Sequence, residues 1–353
     1  MAKLDSVLTA AHPVSALTRV GGLTMGRTHP FPAARRAPIE IGVLNNMPDA
    51  LLHATERQFS HLLRAACGRH EVRVRFYSLA EVPRGEYTRI YMRTLYGELD
   101  EMFEADLDGL IVTGAETRTA ELADEPYWDR LTQVIDWARA NVAASYWSGL
   151  AAHAAVLHLD GVRGVPLPAK RSGVYEGEAA CEDPLLAHLP TPIRTPHSRL
   201  NGLDEQELAD HGYTVLTRSA EAGVDMFARR ERSLMVFGQG HPEYDAGALL
   251  GEYCRDVGCF LSGTGGGAPP PVPAHYLSLR TQRALGALAR CAPAPALMAR
   301  YNAIAATATP RQVWRATSVA LFRNWLHHIT SRKATVMRAA RKMESRALLG
   351  AKA

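Results

Sequence analysis

The chain is poor in cysteine and has no CxxC pair. Its five thiols, Cys67, Cys181, Cys254, Cys259 and Cys291, are odd in number and scattered, which speaks against a disulfide framework or a zinc cluster and fits a reducing cytoplasm. Long apolar runs are missing as well. No stretch approaches the roughly 18 uncharged apolar residues of a membrane span, and Met1 to Arg36 lacks the apolar core of a secretion signal. Lysine is scarce; the net charge of +4 comes from arginine and collects at the two ends. A nucleic-acid surface is therefore not indicated. What is present is a globular composition: 353 residues, 47% of them hydrophobic, enough to fill the core of one large domain or two ordinary ones.

Periodicity predicts alternating strands and helices. Ile39 to Leu44 is β-rich and stops at the turn-like Asn45-Asn46-Met47-Pro48; Asp49 to Cys67 carries apolar residues at helical spacing; Val72 to Tyr77 alternates as a strand does. Asp108 to Gly114 reads as a buried strand, Trp128 to Ala140 as a helix and Val142 to Trp147 as the next strand. Such alternation predicts an α/β fold with a doubly wound, mostly parallel sheet. From Pro166 to Leu200 the texture shifts to short, Pro-punctuated segments, followed by a strand-like Tyr213 to Leu216, which suggests a pocket rim. A helix is expected over Ala246 to Cys259. The run Ser262-Gly263-Thr264-Gly265-Gly266-Gly267-Ala268-Pro269-Pro270-Pro271 can hold neither helix nor strand. The organisation expected is thus an extension over 1–37, a main domain over 38–261 and a linker over 262–273. A C-terminal helical segment over 274–331, including Ala274 to Cys291 and Arg311 to Ile329, would pack on the core, with a basic tail over 332–353.

The stretch richest in chemistry is Val236-Phe237-Gly238-Gln239-Gly240-His241-Pro242-Glu243-Tyr244-Asp245. A strand-length apolar run ends in glycines, with a His and a carboxylate two residues apart at the sheet's carboxyl edge, where open α/β sheets place their sites. A His oriented by a carboxylate is the base that activates a Ser or Cys nucleophile. The pairs His327-His328 and His153/His158 lack a third ligand, so no metal is expected. His153 reads as a buried hydrogen-bonding residue, Cys254 as a small apolar side chain, and Trp314 and Trp325 as core aromatics.

Several ordered stretches, among them Asn45-Asn46-Met47-Pro48, Gly109 to Ala115, Lys170 with Gly173-Val174-Tyr175, Pro196-His197-Ser198-Arg199, Gly240 to Asp245 and Leu321 to Leu326, resemble the homoserine O-succinyltransferase (homoserine O-acyltransferase) family of methionine biosynthesis. The resemblance runs from about Ile39 to Ile329. It implies a class I glutamine-amidotransferase-like fold and transfer of an acyl group from acyl-CoA, through an enzyme cysteine, to the hydroxyl of homoserine. No bound cofactor is implied beyond succinyl-CoA or acetyl-CoA as co-substrate, and a homodimer is a family expectation. Carried over by position, His241 is the general base and Glu243 its orienting partner; Lys170, Ser198 and Arg255 lie near the amino-acid substrate, and backbone N–H groups near Gly114 and Ala115 hold the oxyanion. One motif departs. Where the family carries its cysteine, this chain reads Ser145-Tyr146-Trp147-Ser148-Gly149-Leu150: without gaps the position falls on Gly149, and one register away it falls on Ser148, which would complete a Ser148-His241-Glu243 set. The stretch after Met47-Pro48 also departs, replacing the family's lysines with Asp49 to Ala54, so the donor and the hydroxyl acceptor both stay open. The alternative is a catalytically inactive paralogue that binds an amino acid or an acyl-CoA.

Overall fold

The computed structural model describes residues 37–114, 117–264, 268–292, 294 and 296–350, with side chains through 335. The extension expected over 1–37 lies outside these residues apart from Ala37. The chain enters through β1 (Ile39–Leu44), and α1 (Asp49–Ala66) starts behind Pro48, which supplies an extended cap, with Asp49 in the first turn and Arg64 in the last, matching the helix dipole. There follow β2 (Val72–Tyr77), the short helices α2 (Glu86–Leu95) and α3 (Leu99–Glu104) on either side of β3 (Tyr96–Gly97), β4 (Gly109–Thr113), α4 (Trp128–Asn141), β5 (Ala144–Ser148) and α5 (Leu150–Asp160). Four strands come next, interrupted by α6 (Glu205–Asp210): β6 (Val165–Ala179), β7 (Ile193–Gly202), β8 (Thr214–Ser219) and β9 (Gly223–Arg230). The chain then runs through β10 (Leu234–Gly238), α7 (Ala248–Leu261), α8 (Leu279–Ala289), α9 (Leu297–Thr307) and α10 (Arg315–Gly350).

All ten strands form one sheet in the order β3-β2-β1-β4-β5-β10-β9-β8-β6-β7. The first six are parallel and the rest antiparallel. Strand alternation sorts side chains to two faces. In β4, Leu110 and Val112 pack with Val134, Ile135 and Ala138 of α4 and Ala151 and Ala155 of α5; Ile111 packs on the opposite face with Phe59 of α1 and Phe322, Trp325 and Ile329 of α10. Helices thus cover both faces, and the expected α/β, doubly wound, mostly parallel sheet with a C-terminal helical extension is what forms. A third cluster joins α7, α8 and α9 around Tyr253, Leu285, Tyr301 and Trp314.

Three segments differ from the sequence reading. The region 166–200 is not a set of short pieces but a long antiparallel ribbon of β6 and β7. Its prolines are tolerated because Pro166 sits where the register breaks before Arg171, and β7 is the sheet's edge strand. The stretch from Ala274 is helical only from Leu279, because Ala274 is drawn into a bridge with β6: its N–H donates to Ser172 O at 2.9 Å and its carbonyl accepts from Val174 N–H at 2.9 Å. The basic tail from Arg332, which reads from sequence as a helix of its own, is the continuation of the helix expected over Arg311 to Ile329, since α10 runs unbroken to Gly350. Helices α2, α3 and α9 were not anticipated. No helix among the described residues is long and apolar enough to cross a membrane.

Trp325 is 2% exposed and packs its ring on Phe322 at 5.9 Å. Trp325→Ala is expected to cost about 3–5 kcal/mol of unfolding free energy, read by urea denaturation; a loss under about 1 kcal/mol would mean that α10 does not cover the sheet.

Candidate active site

The parallel strands β1, β4, β5 and β10 deliver Met47, Gly114, Ser148-Gly149 and His241 to one carboxyl edge, where they line a cleft of ≈ 530 Å³. Two glycine turns shape its floor. The turn after β10 runs hard against β7: a Cβ on Gly240 would lie 2.4 Å from Thr195 Cγ2 and 3.0 Å from Pro196 O, so only glycine fits, and the next residue, His241, donates its N–H to Pro196 O at 2.8 Å. At the end of β5, Gly149 has φ 57 and ψ −120, a conformation strained for any residue with a side chain. It is the sharp bend from strand into α5, and its N–H donates to Gly238 O at 2.8 Å, tying the two turns together. A Cβ on Gly149 would point at the imidazole, 2.7 Å from Cε1 and 3.2 Å from Nε2 of His241. Gly114 faces the start of α5 so closely that its own Cβ would meet Leu150 Cβ at 2.9 Å.

Ser148, His241 and Glu243 do meet, but in a particular order. His241 Nδ1 lies 2.9 Å from Glu243 Oε1, and the Ser148 hydroxyl donates to the same oxygen at 2.8 Å. The serine oxygen is also 3.4 Å from Nδ1. Its single hydrogen is committed to Glu243, so toward that nitrogen it can only accept. Serine and carboxylate therefore share the Nδ1 side of the ring, while its Cε1 and Nε2 atoms lie close over Gly149. The other Glu243 oxygen, Oε2, is buried without a partner. The imidazole stacks on Tyr244, with centroids 4.4 Å apart and planes 11° apart. Burial acts to depress the His241 pKa, but the Glu243 charge and hydrogen bond outweigh it and hold the group above its ordinary 6.5.

The far wall is a charged network. Lys170 on β6 pairs with Asp256 at 2.5 Å and stands 3.8 Å from Glu252; Arg255 pairs with Asp256 at 3.2 Å; Ser198 on β7 and Tyr244 both donate to Glu252. All three residues expected near an amino-acid substrate, Lys170, Ser198 and Arg255, line the cleft. Glu252 and Asp256 line the cleft as well and were not among the site residues expected from sequence. Their spacing of four on α7, one face of a helix, was the signal that two carboxylates arrive together. Of the oxyanion candidates, Gly114 and Gly149 line the cleft and Ala115 lies outside the described residues. Among the described residues no group of three or more His, Cys, Asp or Glu could hold a metal.

His153 on α5 also reaches the cleft, yet is 5% exposed. Burial, helped by the nearby Arg199 charge, pushes it down to about 4, so it is neutral in the folded state where an unfolded chain would already bind a proton. The sign follows: its contribution to stability is complete above pH 6.5 and shrinks as pH falls toward about 4. His153→Gln is expected to remove part of the acid destabilisation between those limits, measured as the slope of unfolding free energy against pH. An unchanged slope would show that His153 is hydrated.

The family profile described as homoserine O-succinyltransferase matches residues 9–336. A homoserine O-succinyltransferase of Rhodopseudomonas palustris is 48% identical over 305 residues, 86% of this chain and 91% of that relative. One of Methylorubrum extorquens is 44% identical over 321 residues, 90% and 93% of the two chains. Among solved structures, a glutamine amidotransferase from Thermotoga maritima aligns with a TM-score of 0.47 and 11% identity over 83% of this chain and 99% of that one, too loosely to bear on function. With the profile spanning most of its length and relatives this close, the chain belongs to the homoserine O-succinyltransferase family of acyltransferases.

Proposed function

We propose that this protein transfers a succinyl group from succinyl-CoA to the hydroxyl of homoserine, and that His241 performs the transfer without a covalent acyl-enzyme. The observation that carries the second half is the bend at Gly149. The place from which a side chain would confront the base nitrogen, 3.2 Å from His241 Nε2, belongs to a glycine. An acceptor hydroxyl reaches Nε2 from the cleft that His241 lines. Nδ1–H donates its hydrogen bond to Glu243, which leaves Nε2 as the acceptor lone pair. The homoserine oxygen gives its proton to Nε2 and attacks the thioester carbon. As the tetrahedral intermediate collapses the C–S bond breaks, and the CoA sulfur receives the proton back from the imidazolium. The N–H groups of the first turn of α5, with Gly114 beside them, supply the dipole that opposes the developing oxyanion.

Ser148 is on this reading a positioning group. Its hydroxyl is turned toward Glu243 rather than toward Nε2, and it is 2% exposed. It fixes the carboxylate that fixes the ring. The far wall suits an amino acid: Arg255 and Lys170 offer cations to its carboxylate, and Glu252, already holding Ser198 and Tyr244, offers an acceptor to its ammonium group.

The deciding experiment quenches the enzyme with radiolabelled succinyl-CoA in the absence of homoserine. The wild type is expected to retain no label, because the residue beneath the imidazole is a glycine and offers no nucleophile. Label held by the wild type and missing from Ser148→Ala would sink the single-step route and make Ser148 the nucleophile. Ser148→Ala is otherwise expected to lose about tenfold to a hundredfold, the effect of one hydrogen bond to a charged group, whereas His241→Ala is expected to lose about 10²–10⁴-fold.

The pH profile tests the base. Only the neutral imidazole accepts a proton, so kcat/KM for homoserine is expected to fall on acidification with an apparent pKa above 6.5, and Glu243→Gln, by removing the charge that raises it, should move that limb to lower pH. A limb that stays in place in Glu243→Gln would assign the titration to another group.

A further inference from the structure

Pro242 and Glu243 form the corners of a tight turn that opens at His241 and closes at Tyr244, whose N–H donates to His241 O at 3.2 Å. The turn brings its first and fourth side chains together and lays the phenol ring of Tyr244 flat on the imidazole, with centroids 4.4 Å apart and planes 11° apart. That face supplies what the carboxylate cannot. The last torsion of a histidine is broad, and a hydrogen bond weakens steeply only below about 120°, so the single bond from Nδ1 to Glu243 leaves the ring a range of tilt. Tilt displaces Nε2, on the far side of the ring from that bond. A parallel ring against one face removes this freedom.

The phenol is itself held at both ends. Its hydroxyl donates to Glu252, as Ser198 does, and its backbone carbonyl accepts from Trp314 Nε1 at 3.0 Å and Gln312 Nε2 at 2.6 Å, in the segment that leads into α10. Tyr244 is 7% exposed and lines the cleft. Burial, with the Glu252 charge, holds its phenol well above the ordinary range, so it stays a neutral donor.

We propose that Tyr244 is a positioning residue for the acyl transfer: its ring sets the plane of the His241 imidazole and its hydroxyl sets the Glu252 carboxylate, so one side chain holds the base and the acceptor-binding wall in register. This rests on the reading of His241 as the base and Glu252 as the acceptor for the ammonium group. The two ends act at different stages. Glu252 meets the bound amino acid before and during the reaction, so the hydroxyl governs KM; the plane of the imidazole matters when the proton moves, so the ring governs kcat.

Steady-state kinetics of Tyr244→Phe and Tyr244→Leu separate the two ends. Tyr244→Phe keeps the flat face and is expected to raise KM for homoserine about tenfold or more, as loss of one hydrogen bond to a charged group implies, with a smaller change in kcat. Tyr244→Leu loses the face as well and is expected to lower kcat by about 10²-fold, the scale of a misplaced catalytic group. It should also move the acid limb of kcat/KM to lower pH, because an aromatic face favours the protonated ring. Tyr244→Met carries the same test if the leucine variant fails to fold. Equal kcat in the Phe variant and in the Leu or Met variant would overturn the role of the ring, and an unchanged KM in Tyr244→Phe would overturn the link to Glu252. His241→Ala, assayed beside them, keeps the readings apart: full activity there would remove the base on which the proposal rests, whereas its loss together with equal Phe and Leu variants removes Tyr244 alone.

Discussion

A hydrogen bond between two glycine turns sets the geometry on which the site depends. The N–H of Gly149 meets the carbonyl of Gly238 at 2.8 Å, locking the end of β5 to the end of β10. Neither turn tolerates a larger residue without movement, because Gly149 has a positive φ and Gly240 lies against Thr195 and Asp225. With both backbones fixed, the imidazole of His241 has one place to be, directly over the bend. The bend at Gly149 is held in place by the regular ladders of β4, β5 and β10 on either side.

Behind the imidazole a second, wholly buried polar network makes the antiparallel half of the sheet part of the machinery. Asp225 on β9 accepts from Thr195 and Thr217, each at 3.0 Å, and lies 3.2 Å from His197 Nε2. Burial opposes its ionisation, but the His197 contact and the two hydroxyls outweigh that and hold the carboxyl below its ordinary range. Because Asp225 also receives Gln239 N–H on its backbone carbonyl, the charge on β9 and the turn before His241 are fixed together. Buried charges with several donors impose one arrangement in a way that apolar packing does not.

The parallel half of the fold was legible because its signals are local. Ile39–Leu44, Asp49–Ala66 and Val72–Tyr77 carry clean strand or helix periods, and Trp128–Asn141 does so again. The antiparallel half was obscured by its prolines, which usually break strands but are harmless at an edge and at a register shift. The helix expected from Ala274 started late because a backbone bridge to Gly173, distant in sequence, captured its first residues.

The same division governs the site. Composition, period and the run Gly240-His241-Pro242-Glu243 determined the α/β class and marked one edge of the sheet and the His241-Glu243 pair proposed as base and orienting carboxylate, since each is written in residues close along the chain. Which atom faces which was decided only by tertiary structure. Ser148 and Gly149 are adjacent letters, and a one-residue step on a strand turns a side chain to the opposite face. Only the pairing of β5 with β10 puts the serine on the Nδ1 side with Glu243 and the glycine directly beneath the imidazole, where no side chain has room.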